Sequence, residues 1–211
     1  MRFVGPDGMR VDEYEFNTGT GKLEYIKASD NDVVYSVTSN EDGSTTRTGE
    51  KVEFEGKPIT AVRSRGDSVE GMPRQIIGVS NTDDGDKLFD FIKTQTGESQ
   101  EWSILNYSEN NGTPQSLIST SGLKSKDPDG AAYTQEMSTN PDILILKSDH
   151  NHPVGGDASH MSSSGDRAIR DAVLKNNPDA KVNIHYKENK KWTSRSILND
   201  TKTHNDGKTF N

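Results

Sequence analysis

The sequence predicts an α/β sandwich built on a mixed sheet, preceded by a β-hairpin-rich extension. Three observations carry this. Short runs rich in β-branched residues recur between turn residues; two segments, near Leu88 and near Ile169, repeat apolar residues at helical spacing; and beyond about residue 84 strands and helices are mixed along the chain.

The extension, residues 1–80, opens with two hairpin patterns. Tyr14 and Phe16 lead into Asn17-Thr18-Gly19-Thr20-Gly21, and Leu23-Glu24-Tyr25-Ile26 resumes an extended pattern, which reads as two strands around a glycine turn. Val33-Val34-Tyr35-Ser36-Val37 and a threonine-rich stretch flank Asn40-Glu41-Asp42-Gly43, where Asp-Gly is a favoured hairpin connection. From Lys51 to Asn81 only short extended pieces emerge, and this interval reads as linker or irregular cover.

The second part, residues 84–200, starts with a helix. Leu88, Phe91 and Ile92 share one face and Gly97 supplies a stop. Gln100 to Tyr107 reads as a strand, Asn110-Asn111-Gly112-Thr113-Pro114 as a turn, and Gln115 to Ser121 as its partner strand. A loop containing Asp127-Pro128-Asp129-Gly130 follows. Asp142-Ile143-Leu144-Ile145-Leu146-Lys147 is dense in apolar residues over a short span, which argues a buried strand. Ile169, Ala172 and Val173 mark a further helix, closed by Asn176-Asn177-Pro178, and the strands Val182 to Tyr186 and Trp192 to Ile197 end the unit around a lysine-rich turn. Residues 201–211 form a tail. There are no internal repeats.

Composition sets limits. In 211 residues, 28% hydrophobic content allows only a modest core, and the mean hydropathy of −0.89 places much of the chain at the surface. The net charge of −8, from 33 acidic and 25 basic residues, would repel a phosphate backbone, so nucleic acid is not an expected partner. Cysteine is absent, which excludes disulfides, thiol nucleophiles and cysteine-ligated metal. No apolar run approaches a membrane span, so a membrane is not expected either, and Met1-Arg2-Phe3-Val4-Gly5-Pro6 lacks the apolar core of a signal peptide.

The chemistry concentrates at His150-Asn151-His152-Pro153 and Ser163-Ser164-Gly165-Asp166. If the strand stays extended through its end, His150 and His152 project the same way and Asn151 points away. Two adjacent imidazoles chelate one divalent ion, and a hydrolytic zinc site needs a third nitrogen or carboxylate ligand plus an open position for water. Asp166 is the expected third ligand. Serines 162–164 are good caps for the helix that follows, and a carboxylate in its first turn is favoured by the helix dipole while aiming back at the strand end. His185 lies in a strand and is expected to be structural.

The attacking water also needs a proton acceptor. Glu101 is the choice, because an acidic residue entering an apolar strand is costly unless it is used or paired; Glu98 and Glu136 are alternatives.

Glu, then His-x-His-Pro, then Ser-x-x-Asp resembles the JAMM motif of JAB/MPN metallopeptidases. The resemblance implies a JAB/MPN-like mixed-sheet sandwich over residues 84–200, with His150, His152 and Asp166 binding Zn2+, Glu101 positioning the attacking water and Ser163 stabilising the tetrahedral intermediate. Two departures stand out. The loop between His152 and Ser163 is ten residues, longer than usual in that family, and Asn151 stands where serine or threonine is usual. The longer loop leaves Asp157 and His160 open as alternative ligands.

At the start of the chain, Arg2-Phe3-Val4-Gly5-Pro6-Asp7-Gly8-Met9 resembles the segment that closes Rhs-repeat shells, after which a variable toxin domain follows. Together the resemblances imply a JAB-like toxin domain of the bacterial polymorphic-toxin type. They imply zinc-dependent hydrolysis of a peptide or isopeptide bond in a protein substrate, delivery by a bacterial export system to a target-cell cytoplasm, and a cognate immunity protein as partner. The other expectation is a catalytically inactive JAB-like module that binds protein.

Overall fold

A computed structural model of the chain describes residues 12–69, 71–97, 99–124, 126–153 and 162–200. Its strands are β1 (Glu13–Asn17), β2 (Lys22–Lys27), β3 (Val33–Ser39), β4 (Thr45–Glu53), β5 (Ile59–Ser64), β6 (Gln75–Val79), β7 (Ser103–Glu109), β8 (Gln115–Thr120), β9 (Ile143–Asn151), β10 (Lys181–Glu188) and β11 (Lys191–Ser196). The helices are α1 (Thr82–Thr96), α2 (Pro128–Thr139) and α3 (Ser164–Asn176). This is the mixed α/β architecture that the sequence predicts. None of the described helices is long and apolar enough to cross a membrane.

The first four strands form one sheet in the order β2-β1-β3-β4. Both predicted hairpins are present, with Gly21 and Gly43 at positive φ in their turns, and the parallel pairing of β1 with β3 joins them. The remaining seven strands form a mixed sheet in the order β11-β10-β9-β7-β8-β6-β5, in which β9 and β10 run parallel and the other neighbours antiparallel.

Two cores flank the large sheet, and alternation along β7 separates them. Ile104 packs on one face with Leu88, Phe89 and Ile92 of α1 and with Phe16, Leu23 and Val34 of the small sheet. Leu105 packs on the other with Ile145, Val173 of α3, Val182 and Ile184. The small sheet is therefore not a detached extension. Phe16 meets Trp102 edge to face at a centroid distance of 6.0 Å, and the Gln75 amide accepts from the Leu23 N–H and donates to the Leu23 carbonyl, both at 2.9 Å.

Two sequence expectations need correction. The interval Lys51–Asn81 is not linker, because β5 and β6 lie within it and complete one edge of the large sheet. β5 is the edge strand and needs no two-sided apolar pattern, and in its neighbour β6 only Gln75, Ile77 and Val79 are buried, so the signal is short. The loop around Asp127-Pro128-Asp129-Gly130 is the start of α2, with Asp127 as N-cap and proline at the opening of the helix. The same residue types serve a turn and a cap. The face that α2 buries is Gly130, Thr134 and Ser138, so no apolar stripe advertises it.

Asp32 links the two sheets. It is fully buried, its Oδ2 accepts from the Ile59 N–H at 2.8 Å, and its Oδ1 has no partner among the described residues. Burial pushes its carboxyl up to about 7, against the opposing Ile59 hydrogen bond. The folded chain thus holds this proton more tightly than the unfolded chain, where an aspartate titrates near ~4. The contribution of Asp32 to stability is full below about pH 4 and is lost as pH rises through about 7. Asparagine keeps the acceptor and does not ionise. Chemical unfolding at pH 4.5 and pH 8 should show the Asp32→Asn chain gaining stability over the parent at the higher pH; a pH-independent difference between the two would overturn the assignment.

Candidate metal centre

A one-residue bulge in β9 decides which way the histidines face. Tyr107 pairs with Ile145 and Asn106 with Lys147, so Leu146 is an extra residue between them. Before the bulge, Ile145 faces the core under α3. Without it, strict alternation would carry Lys147 and Asp149 to that face and His150 to the other. With it, Ser148 and His150 fall in register with Val182 and Ile184 of the α3-side core, while Lys147 and Asp149 turn towards α1. His152, just past the strand, donates its N–H to the His185 carbonyl at 2.7 Å. The two imidazoles share a face as expected, with ring centroids 4.9 Å apart.

The start of α3 delivers the third group. Ser163 is the N-cap: its Oγ accepts from the Asp166 N–H at 3.1 Å, and Asp166 Oδ2 accepts from the Ser163 N–H at 2.6 Å, closing a reciprocal capping box. The box fixes the Asp166 rotamer. The turn before it is also anchored, since buried Ser162 donates to Asp200 at 2.5 Å, Arg167 donates to the Ser162 carbonyl at 3.0 Å, and Arg195 grips Asp200 through two nitrogens at 2.9 and 2.7 Å.

These supports bring three candidate ligand groups together. His150 Nε2 lies 3.0 Å from His152 Nε2 and 3.2 Å from Asp166 Oδ1, and His152 Nε2 lies 3.5 Å from Asp166 Oδ2. Ligands about 2.0–2.2 Å from a tetrahedral zinc stand about 3.3 Å apart, so these separations match one face of such a site. It is the one group of three or more metal-ligating side chains at such spacing among the described residues. The electrostatics agree. Burial disfavours charge on the His150 ring, but the Asp166 carboxylate outweighs it and pushes the imidazole up to about 9. Burial likewise opposes charge on Asp166, and hydrogen bonds from both histidines hold it well below the usual carboxylate range. The Asp166 carboxylate thus draws positive charge to the two imidazoles, which a bound divalent cation would supply in place of protons.

Glu101 lies immediately before β7, in the direction of the metal face, because Ser103 two residues on is in register with His150. Its side chain is only 8% exposed. Burial pushes its carboxyl up to about 8, with His150 opposing and the carboxylates of Asp127 and Asp166 adding. The Asp127 N–H, at the cap of α2, donates to it. Glu136 sits exposed in α2, away from this group, and Glu98 lies outside the described residues. Asp157, His160 and the segment Arg2–Met9 also lie outside them. Ser163 is exposed and its hydroxyl serves the helix cap, leaving its proton free to donate.

His185 is structural, as expected. Its Nε2 meets Asp149 at 3.0 Å, its Nδ1 accepts from Lys93 at 2.9 Å, and its ring packs edge-on to Phe89, all on the α1 side of the sheet. Sequence reasoning missed two residues. Asp127 binds Ser119, Ser121 and the Gly130 N–H beside Glu101, and its Asp-Pro signature is shared by caps and turns. Asn151 is fully buried and reaches the backbone on both sides of Glu101. Its only signal in the sequence is its place between the histidines.

Residues 77–181 match a family model described as JAB-like toxin 1. That span holds Glu101, His150, His152, Ser163 and Asp166. No match was found among curated proteins or among solved structures. The mixed sheet, the cluster at the end of β9 and the family match agree, and the chain carries a JAB-like toxin domain.

Proposed function

We propose that this toxin domain is a zinc-dependent hydrolase of peptide or isopeptide bonds. The observation that carries the reading is the convergence of His150, His152 and Asp166 at tetrahedral spacing with a buried carboxyl, Glu101, adjoining the same face. His150, His152 and Asp166 would hold the ion, leaving a fourth position open. The ion, when bound, lowers the pKa of a coordinated water towards ~7 and polarises the scissile carbonyl.

The chain's own residues do the rest. Glu101 would take a proton from the attacking water and return it to the leaving amine. Its burial, which raises its proton affinity, suits a group that must both accept and release a proton near neutral pH. Asp127 and the opening of α2 would hold that carboxyl in place. Ser163, with its hydroxyl proton uncommitted by the cap, would donate to the developing oxyanion. Toxin character adds a biological setting to the proposal: delivery on a carrier such as an Rhs shell into a target cell, and a cognate immunity protein that restrains the domain where it is made.

Zinc binding should stabilise the fold. With free zinc a hundredfold above Kd, the native state gains about 2.7 kcal/mol, visible as a rise in melting temperature that chelation reverses. His152→Ala and Asp166→Asn should melt at a temperature insensitive to zinc, and a parent chain with no zinc response would sink the metal reading.

Turnover separates ligand from base. On a fluorescence-quenched peptide mixture and its isopeptide-linked counterpart, His150→Ala and Asp166→Ala should lose both zinc and cleavage, whereas Glu101→Gln should keep zinc and lose roughly a hundred- to ten-thousand-fold in kcat. Cleavage retained by a zinc-free His150→Ala chain would refute the mechanism. Full zinc loading of the parent with no cleavage of either mixture would instead favour a binding module.

A further inference from the structure

Alternation sends the side chain between the two histidines away from the metal face, and in this chain it is put to use. Asn151 is 0% exposed. Its Oδ1 accepts from the Trp102 N–H at 2.6 Å, its Nδ2 donates to the Gln100 carbonyl at 3.4 Å, and its own N–H donates to the Trp102 carbonyl at 3.0 Å. The residue bracketed by these contacts is Glu101. It precedes β7, so the regular ladder with β9, which begins at Ser103 and His150, does not hold it.

The other side of this short segment is held as well. The Glu101 N–H donates to the Leu123 carbonyl at 2.9 Å, and Thr120 donates to the Glu101 carbonyl at 2.7 Å. Those contacts tie Glu101 to β8 and the turn after it. Among the described residues, the hydrogen bonds that tie this segment to the end of the strand carrying His150 come from Asn151. The amide does this with two separate atoms, oxygen towards Trp102 and nitrogen towards Gln100, whereas the shorter serine side chain has a single oxygen for both.

We infer that Asn151 is a positioning residue that sets the distance between the proton acceptor Glu101 and the His150–His152 pair by pinning the Gln100–Trp102 backbone to the end of β9. The inference rests on the hydrolase reading proposed above. Asn151 would touch neither the metal nor the water. Removing its side-chain amide, with the main-chain bond to Trp102 kept, should leave the ligands in place and loosen the acceptor, the kind of loss that appears in kcat rather than in zinc affinity or KM.

The test compares parent, Glu101→Gln, Asn151→Leu and the double variant, each loaded with Co2+ alone and each with Zn2+ against a coloured chelator. Leucine preserves volume and removes both hydrogen-bonding groups; Asn151→Ser replaces it should the leucine chain not melt cooperatively. Asn151→Leu should bind zinc within about threefold of the parent, reproduce the change in cobalt visible absorption caused by Glu101→Gln, and add nothing to it in the double variant. On the peptide mixture its kcat should fall roughly ten- to hundredfold at unchanged KM.

A cobalt spectrum like the parent's for Asn151→Leu, when Glu101→Gln differs, would overturn this inference and leave the hydrolase reading standing. Loss of zinc in step with loss of Asn151 would overturn it too, since the residue would then support the ligands rather than the base. A parent chain that takes up no cobalt would fail the metal reading first, and this inference with it.

Discussion

The candidate site hangs on a single irregularity, the extra residue at Leu146 in β9. A strand's side chains alternate, so one inserted residue moves everything after it to the opposite face. Ile145 faces the α3-side core before the bulge, and His150 faces it after. Because of that flip the apolar half of β9 and its histidine half use the same side of the sheet. The side that α3 covers is therefore both the core that holds the helix and the floor on which its Asp166 meets the histidines. The partner residues confirm the parity, since His150 is in register with Ile184 and Ser148 with Val182.

The other face shows what the flip does with the residues in between. Lys147 and Asp149 turn towards α1, where Lys147 pairs with Asp86 at 2.5 Å and Asp149 takes His185 and both Asn183 donors. Lys93 completes this network on His185 and pairs with Asp90. Buried charges of this kind are costly unless each finds partners. Here each has one, and the network straps β9, β10 and α1 together beneath the histidines. A chain with only 28% hydrophobic residues stiffens its sheet partly through polar contacts of this sort.

The structural unit is wider than the family match. Residues 77–181 contain every candidate site residue, but β5, the first two residues of β6, all of β10 beyond Lys181, β11 and the whole small sheet lie outside that span. They are not ornaments. Phe16 packs on Trp102, one residue from Glu101, and Gly21 sits so close to the Gln100 side chain that a Cβ there would stand 1.7 Å from its Oε1. At the other end, Asp200 anchors Ser162 and, through it, the turn that presents Asp166. Thus both Glu101 and Asp166 are buttressed by segments beyond the matched region.

Much of the fold was legible in the sequence because its signals are local. Periodicity marked α1, α3 and the paired strands, and the serine-rich cap placed Asp166 in a first turn, since a capping box is written in residues three apart. The pairing of His150 with His152 followed from alternation alone. What failed locally was α2, which buries Gly130, Thr134 and Ser138 instead of an apolar stripe, and β5 and β6, short strands of few buried residues. By itself, then, the sequence determined the residue types, their spacing and the mixed α/β class. Only the tertiary structure decided which face the histidines occupy, that Asp166 reaches both of them across the ten-residue loop, and that Asn151 grips the backbone around Glu101. Those are contacts between residues far apart in the chain, and a bulge or a long-range hydrogen bond leaves no periodic trace in the residues that make it.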